Sequence, residues 1–320
     1  MMAAGAAAKP DAQGRRWAYD LFGLRVHSEI PLTELFEAED DGTAADVVIR
    51  IGGMPAGAPE AKPGYTVAGS ATLLSISKVG LYWIDSGREM IVEPFAGASE
   101  RNIRLFLLGS AFGALLHQRN LLPLHANAVE IDGRAIAFMG HSGAGKSTMA
   151  AWFLDRGHRI LADDVCVVTF DPSGRPLAHG GIPRLRLWRE AIEATGRAAE
   201  DYELSFDDAD KYNVPTPRGP SIEALPLHHI YLLRRAEAEA SAPLVERLLG
   251  VDAVDALVAN TYRGGFVKAA GGTGKHLAQC LSLVSRAPVF KAERRWGYDS
   301  FDEQAALLEA HARKLIAATG

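Results

Sequence analysis

One eight-residue segment carries the strongest chemical signal in the chain. Residues 140–147 have the sequence Gly-His-Ser-Gly-Ala-Gly-Lys-Ser, a full match to the pattern G-x-x-x-x-G-K-[ST]. An apolar run at 134–139 predicts a strand before it, and apolar residues at helical spacing over 148–154 predict a helix after it. In such a setting, curled glycines and a helix N-terminus direct backbone N–H groups at a phosphate. We call residues 140–147 the phosphate loop and expect them to bind ATP.

Each residue type in this loop has an expected role. Lys146 would reach the β- and γ-phosphates, and the Ser147 hydroxyl would bind Mg²⁺. The predicted ATP contacts continue into the helix and are Gly140, His141, Ser142, Gly143, Ala144, Gly145, Lys146, Ser147 and Thr148. A glycine-rich turn that binds nothing is the alternative, but such a turn does not require Lys-Ser at the start of a helix.

Two adjacent carboxylates follow the loop after one predicted helix. Asp163 and Asp164 interrupt an otherwise apolar predicted strand, residues 158–170. An acid beside a phosphate loop can bind or orient Mg²⁺, or accept a proton from the incoming nucleophile. Neighbouring residues of a strand face opposite sides, so the two acids can divide these roles, and their proximity should raise the pKa of one. A turn or a salt-bridged surface pair is the alternative.

A histidine is a further catalytic candidate. His125 lies in an apolar setting on the predicted strand 122–131. The dipeptide Asp132-Gly133 predicts a tight hairpin that returns the chain directly into the phosphate loop. That return would bring His125 near the γ-phosphate. A histidine buried in the core is the alternative.

Three basic residues further along the chain are candidate phosphate or substrate contacts. Arg184 and Arg186 lie in segment 184–195, which is predicted to be partly helical. Arginine suits phosphate oxygens and transition-state charge, although a basic helix face would look the same. Lys211 lies in the polar, proline-rich segment 207–218, predicted to be a mobile loop that could act as a lid. A lysine that is merely solvated is the alternative there.

Bulk composition excludes several classes of protein. With 320 residues, 48% hydrophobic and 23% charged, the chain is predicted to be globular. A net charge of −5 argues against a nucleic-acid partner. The longest apolar run, 105–116, is too short to cross a membrane, so no membrane partner is expected. Two cysteines are too few for a disulfide framework and indicate a cytoplasmic location.

The order of predicted elements divides the chain into four parts. Residues 1–15 are predicted to be a disordered tail, and 16–97 an N-terminal β-rich unit with a small antiparallel sheet. Residues 98–235 would form the P-loop core, entered by one helix over 99–119. The remaining part, 236–320, is predicted to be mostly helical. Strands alternating with helices around the loop predict an α/β fold.

The segment from the loop to the acid pair resembles the C-terminal catalytic domain of HPr kinase/phosphorylase, a bacterial protein-serine kinase. The resemblance rests on residues 140–147, on Arg-Gly-His-Arg-Ile-Leu-Ala-Asp-Asp at 156–164 and on their spacing. The His in Leu-His-Ala at 124–126 matches a family active-site histidine. The resemblance covers roughly 120–235 and is most specific from 140 to 164. It implies a P-loop kinase core related to phosphoenolpyruvate carboxykinase, here joined to the N-terminal β-rich unit.

The same resemblance implies roles for individual residues. Lys146 would bind phosphate, and Ser147 would bind Mg²⁺. Asp164 would be the proton acceptor with Asp163 supporting it, and His125 would be a further active-site residue. Of the acid pair, Asp163 is also the candidate for the Mg²⁺ site. The family usually completes its metal site with a Glu, but Arg184 stands in the corresponding position here. The family's later basic loop and C-terminal signature are not evident in this chain.

Together these features predict an ATP-dependent serine kinase whose partner is a peptide or protein that carries the serine. The overall layout is similar to HPr-kinase-like proteins of peptide-tailoring systems, which phosphorylate a precursor such as that of a lasso peptide. HPr kinases are hexamers, so the resemblance makes a homo-oligomer an expectation. A nucleotide-binding or hydrolysing regulator and a small-molecule kinase stay open as alternatives.

Overall fold

The computed structural model describes residues 16–206, 210–216, 224–236, 244–295, 297 and 299–319. The predicted tail, 1–15, therefore lies outside the described residues. Contacts group the described chain into two compact units. The N-terminal unit runs to Leu121 and adds short stretches at 205–206 and Gly265–Thr273, and the C-terminal unit contains the rest.

The N-terminal unit contains a seven-stranded sheet with the strand order β1-β2-β3-β7-β6-β5-β4. Its strands are β1 (Trp17–Leu21), β2 (Leu24–Ser28), β3 (Val47–Ile51), β4 (Gly64–Ala68), β5 (Ala71–Ile76), β6 (Gly80–Asp85) and β7 (Glu89–Pro94). The predicted antiparallel sheet was wrong in part, because β3 pairs in parallel with both β2 and β7. The long connections on either side of β3 make these parallel pairings possible.

The helix predicted over 99–119 is present, but it forms in three consecutive segments. These are α1 (Glu100–Phe106), a π-helical turn (Leu107–Ala111) and α2 (Phe112–Gln118). The Ser99 hydroxyl caps the first segment by accepting a hydrogen bond from the Asn102 N–H at 3.3 Å. The apolar residues of α2 are fully buried. α2 is therefore a core helix of the N-terminal unit.

The C-terminal unit is built on a nine-stranded mixed sheet and a three-stranded sheet. In chain order its strands are β8 (Leu122–Leu124), β9 (Ala126–Ile131), β10 (Arg134–Met139), β11 (Ile160–Ala162), β12 (Cys166–Phe170), β13 (Pro176–His179), β14 (Arg184–Trp188), β15 (Glu203–Leu204), β16 (Lys211–Pro215), β17 (Leu225–Arg235), β18 (Leu244–Leu248) and β19 (Val289–Arg294). The small sheet has the order β14-β16-β15. In the large sheet, β17 pairs in parallel with β10 on one side and with β19 on the other. The three strands therefore end at the same edge of the sheet.

Helices cover both faces of the large sheet. The helices that follow α2 are α3 (Lys146–Asp155), α4 (Arg189–Glu193), α5 (Gly250–Ala259), α6 (Gly265–Ala269, in the N-terminal unit), α7 (Thr273–Arg286) and α8 (Phe301–Thr319). From β10, Ile136 and Phe138 pack with α3 and α8, whereas Ala135, Ala137 and Met139 pack with α5 and α7. Alternate residues of β10 thus belong to two different hydrophobic cores. Helices on both faces of a mixed sheet confirm the predicted α/β class.

The C-terminal part contributes strands as well as helices. It was predicted to be mostly helical, and α5, α7 and α8 lie there, but β18 and β19 lie there too. Since β19 pairs with β17, residues on both sides of the predicted limit at 235 share one sheet. The expected domain limits stay predictions.

Among the residues that the structure describes, every helix falls short of the length and apolarity needed to cross a membrane.

Candidate functional site

The phosphate loop lies between β10 and α3, as the sequence predicted. Gly140 and Gly145 have positive φ angles of 154° and 82°. A Cβ on Gly140 would lie 2.9 Å from the carbonyl oxygen of Leu233, and one on Gly145 would overlap the guanidinium of Arg294. Conformation therefore favours glycine at both positions, and at Gly140 the nearby backbone oxygen leaves no space for a side chain. The helix begins directly after the second glycine, at Lys146.

Lys146 is held inside this loop. Only 7% of the residue is exposed, and its Nζ donates to the carbonyl oxygens of Gly140 at 2.8 Å and His141 at 3.2 Å. Burial lowers the pKa of Lys146, although Asp164 acts in the opposite direction. A buried ammonium surrounded by backbone oxygens gains stabilisation from an anion brought into the loop.

A cavity of about 260 Å³ opens beside the loop. Predicted residues in its lining are Ser142, Gly143, Gly145, Lys146, Ser147, Thr148, His125, Asp164, Arg186 and Lys211. The lining also includes residues that sequence reasoning missed: Leu187, Trp188, Glu190, Ala191, Arg294, Gly297 and Phe301. The cavity thus brings residues from six separated parts of the chain to one place.

The acid pair does not lie within a strand. The predicted strand over 158–170 was wrong, because β11 ends at Ala162 and β12 begins at Cys166. Asp164 has a φ of 69°, which places it in the left-handed region. Such a conformation is uncommon for residues other than glycine, although Asp and Asn adopt it more readily than most, and it is often found at functional sites. The break orients the two carboxylates differently and lets one of them reach the cavity.

Asp163 points towards the phosphate loop and is 7% exposed. Its Oδ1 accepts hydrogen bonds from Asn127 Nδ2 at 2.6 Å and from Ser147 Oγ at 3.1 Å. Its Oδ2 accepts one from the Arg186 backbone N–H at 2.7 Å. Burial, and then the neighbouring Asp164, raise the pKa of Asp163. The raised pKa that the sequence predicted for one of the two acids therefore falls on the residue that contacts Ser147.

Asp164 points into the cavity. Its carboxylate forms an ion pair with the guanidinium of Arg186, and its Oδ1 lies 3.4 Å from His125 Nδ1. Burial alone would raise the pKa of Asp164, but Arg186 and then His125, Lys211 and Lys146 lower it further than burial raises it. Asp164 is therefore ionised near neutral pH and surrounded by cationic groups.

His125 occupies a break between two strands. A single strand was predicted over 122–131, but β8 ends before His125 and β9 begins after it. Its backbone N–H donates to the Asn260 carbonyl at 2.7 Å, and its Nδ1 lies 3.0 Å from the carbonyl oxygen of Asp164. Burial lowers the pKa of His125, against the opposing effect of Asp164. The imidazole thus faces the acid at the cavity wall.

The two arginine candidates lie on a strand and not on a helix. Arg184 and Arg186 are both in β14, and only the short α4 that follows is helical. Their side chains share one face of the strand, since residues two apart do. Arg186 lines the cavity, whereas Arg184 is 9% exposed and is not part of the lining. Of the two candidates, Arg186 is therefore the one that faces the cavity.

Lys211 belongs to a strand as well. The loop predicted over 207–218 was wrong for β16, which pairs Lys211 with Trp188; residues 207–209 and 217–218 lie outside the described residues. The Lys211 Nζ lies 5.6 Å from the centre of the Trp188 ring. Burial, and next Arg186, lower the pKa of Lys211. A strand of the small sheet thus supplies a cation where a mobile lid was expected.

The oxygen groups beside the loop suit a magnesium ion. Within the described part of the chain, no group of three or more His, Cys, Asp or Glu side chains is arranged to hold a metal. Ser147 Oγ and Asp163 Oδ1 nevertheless lie 3.1 Å apart. Magnesium prefers oxygen ligands, keeps several waters and often binds through one or two protein groups plus substrate phosphates. The residues present therefore fit that ion.

Comparisons with known proteins find relatives of the kind that the sequence resembles. No family model matches the chain. It is 34% identical over 82 residues to an HPr kinase/phosphorylase of Chloroherpeton thalassium, and 35% identical over 75 residues to one of Caldanaerobacter subterraneus subsp. tengcongensis. These matches cover 26% and 23% of this chain, and 23% of each relative. The chain thus spans about a quarter of the length of the curated relatives it matches.

One solved structure is also similar. The HPr(Ser) kinase/phosphatase from Coxiella burnetii aligns with 62% of this chain and 97% of that chain, at 13% identity and a TM-score of 0.31. A likeness at that level does not by itself establish a common fold. The curated relatives confirm the resemblance to HPr kinase/phosphorylase that the sequence indicated, over about a quarter of the chain.

Proposed function

We propose that this chain is an ATP-dependent phosphotransferase that moves the γ-phosphate of ATP to a serine of a peptide or protein. The observation that carries the proposal is one cavity lined both by the phosphate loop, with Lys146 and Ser147, and by Asp164, Arg186 and His125. Binding groups for a triphosphate and groups suited to phosphoryl transfer thus face the same space.

The loop would hold the triphosphate. Backbone N–H groups at the start of α3 and the buried Lys146 ammonium supply concentrated positive charge for the β- and γ-phosphates. Ser147 and Asp163 would hold Mg²⁺, which neutralises charge on the phosphate oxygens. Asn127 and the Arg186 backbone N–H orient the Asp163 carboxylate through hydrogen bonds. Lys146 and Ser147 come from α3, Asn127 from β9 and Arg186 from β14, whereas Asp163 follows the end of β11 directly.

The other charged residues that line the cavity would take part in phosphoryl transfer. Asp164 would accept the proton of the attacking serine hydroxyl, and its lowered pKa keeps it ionised for that task. A low pKa makes a weak base, but phosphoryl transfer depends mainly on positioning and charge stabilisation. Arg186 orients Asp164 through their ion pair, and it lies where negative charge would develop on the transferred group. His125 would support the orientation of Asp164 from the other side.

The serine acceptor and the macromolecular partner follow from the resemblance. The relatives carry the name HPr kinase/phosphorylase, which favours a protein acceptor. A precursor peptide of the lasso-peptide type, a homo-oligomeric assembly and a cytoplasmic location are parts of the same proposal.

The direct test supplies the full chain with γ-labelled ATP, Mg²⁺ and serine-bearing peptides or proteins, and locates the label by mass spectrometry. We expect phosphoserine that depends on Mg²⁺ and is absent with Lys146→Met. Label released only as inorganic phosphate would favour a nucleotide-hydrolysing regulator. Label on a small metabolite would favour a small-molecule kinase.

A further inference from the structure

The C-terminal strand of the large sheet ends beside the phosphate loop. β19 pairs in parallel with β17, and β17 pairs in parallel with β10, which leads into the loop. Carboxyl ends of neighbouring parallel strands meet at one edge, where ligands of α/β proteins commonly bind. Arg294 is the last residue of β19. The topology therefore delivers its side chain to the loop from a part of the chain more than 140 residues away in sequence.

Arg294 makes a direct contact with the loop backbone. Its Nη2 donates a hydrogen bond of 2.7 Å to the carbonyl oxygen of Ala144. The guanidinium also occupies the space that a Cβ on Gly145 would need. Its planar group lies over the ring of Phe301, 5.1 Å from the centroid. The side chain is thus fixed by α8 on one side and holds the loop on the other.

Arg294 is buried and faces the cavity. Only 4% of the residue is exposed, yet it belongs to the lining of the cavity. Burial of a guanidinium is costly unless it is paired, and a hydrophobic residue of similar volume would often serve stability equally well. A buried cation at the wall of a cavity that would hold phosphates has an electrostatic use that an apolar residue does not.

We propose that Arg294 is a positioning residue of the nucleotide site, which holds the phosphate loop through the Ala144 carbonyl and adds positive charge to the cavity wall. The inference rests on the proposed function, because it assumes that the loop binds the phosphates of ATP. It extends the site to β19 and α8, which the sequence analysis placed outside the core.

The test measures binding of Mg·ATP to the full chain by calorimetry, for wild type, Arg294→Gln, Arg294→Lys and Arg295→Gln. Arg295 is the matched control, because it is the neighbouring arginine and its side chain is exposed. We expect Arg294→Gln to weaken binding by about tenfold or more, and Arg295→Gln to stay within about twofold of wild type. Arg294→Lys should lose about threefold or more, because an ammonium lacks the planar fork that contacts the carbonyl and the ring together.

Hydrogen exchange separates a role at the loop from a general role in folding. In Arg294→Gln we expect faster amide exchange over residues 141–147 and unchanged exchange in β17. Equal acceleration in both segments would mean that Arg294 only supports the fold, and would overturn the inference. Should Arg294→Gln not fold, the exchange pattern and affinity of Arg294→Lys decide by the same criteria.

Failure of the inference is distinguishable from failure of the proposed function. If wild type binds Mg·ATP and both Arg294 variants bind it within twofold, the inference is wrong and the proposed function stands. Equal losses in Arg294→Gln and Arg295→Gln would also contradict it, because they would indicate a non-specific charge effect. If wild type binds no Mg·ATP, both are wrong.

Discussion

The two units of the molecule differ in the polar groups that they bury. Among the described residues of the N-terminal unit, the buried polar side chains are hydroxyls and one histidine: Ser28, Thr72, Ser110, Ser205 and His117. The C-terminal unit buries two arginines, a lysine and an aspartate to nine-tenths or more: Arg184, Arg294, Lys146 and Asp163. Both units contain a large mixed sheet with buried apolar residues.

This difference shows where the molecule buries charged side chains, which are costly to remove from water. Taking a charged side chain out of water costs several kcal/mol, and pairing recovers that cost only in part. Three of the four buried charged residues contact the phosphate loop or a residue within it. Stability of a sheet does not require such groups, as the N-terminal unit demonstrates. Buried charge therefore distinguishes the unit that contains the phosphate loop better than sheet size does.

The largest expected effect is on phosphoryl transfer. Asp164→Asn should reduce transfer by about 10³-fold, because the amide cannot accept the hydroxyl proton. Mg·ATP affinity should stay within about threefold, and asparagine tolerates the positive φ at this position. Single-turnover assays with γ-labelled ATP measure the rate. Asp132→Asn is the matched control, since Asp132 also has a positive φ but lies in the β9–β10 turn. Near-normal transfer by Asp164→Asn would identify another base.

A core substitution in the N-terminal unit should affect stability alone. Leu73 lies in β5 and is 2% exposed. Leu73→Ala should therefore lower the unfolding free energy by about 3 kcal/mol, because it removes buried apolar atoms and leaves a cavity. The folded variant should bind Mg·ATP like wild type. Denaturant unfolding and calorimetry measure the two quantities. An affinity loss in the folded variant would contradict the division of roles between the units.

The converse result is expected for a buried charge in the C-terminal unit. Lys146→Met should weaken Mg·ATP binding by about 100-fold, because it removes the ammonium from the loop. Thermal stability of the ligand-free protein should be unchanged or higher, since an apolar side chain avoids the cost of burying the charge. Lys275→Met, at an exposed position in α7, is the matched control. A large fall in the melting temperature of Lys146→Met would show that the buried charge is structural.

A smaller effect concerns a buried histidine away from the cavity. Burial, and then His228 and His311, lower the pKa of His229 from 6.5 to about 3. The folded protein keeps this ring neutral, whereas the unfolded chain takes up a proton below about pH 6.5. Protonation therefore favours the unfolded chain, and the unfolding free energy falls as the pH drops from about 6.5 towards 3. Between pH 7 and pH 5 the loss should be about 2 kcal/mol.

His229→Phe should remove that share of the acid sensitivity, because phenylalanine does not titrate and suits the surrounding Tyr231 and Phe290 rings. Unfolding free energies measured at pH 7 and pH 5 for both proteins test this. Parallel losses in wild type and variant would mean that other groups carry the acid response.

Features set by neighbouring residues were predictable from the sequence. The loop follows β10 and precedes α3 as expected, since glycine spacing and apolar runs act locally. The hairpin at Asp132-Gly133 is confirmed, with φ angles of 49° and 73° that suit the twist of its strands. The end of α3 is also a local feature, because Gly157 follows the helix with a φ of 85°, a conformation that glycine commonly adopts after a helix.

Breaks in strands were not predictable, because apolar runs continue through them. Both His125 and Asp164 interrupt runs that local propensity favours as continuous strands. Lys211 lies in a polar stretch with prolines, and it forms a strand only because β14 and β15 lie on either side of it. In each case the partner strand, and not the local sequence, decides the conformation.

The sequence by itself determined the phosphate loop, the elements on either side of it and the identity of the acid pair, because these depend on residues adjacent in the chain. Only the tertiary structure decided which acid faces Ser147 and which faces the cavity, and that Arg186 and Arg294 line the same space. Those relations depend on the left-handed backbone at Asp164 and on the parallel register of β10, β17 and β19. Both are consequences of long-range packing, which local propensity does not encode.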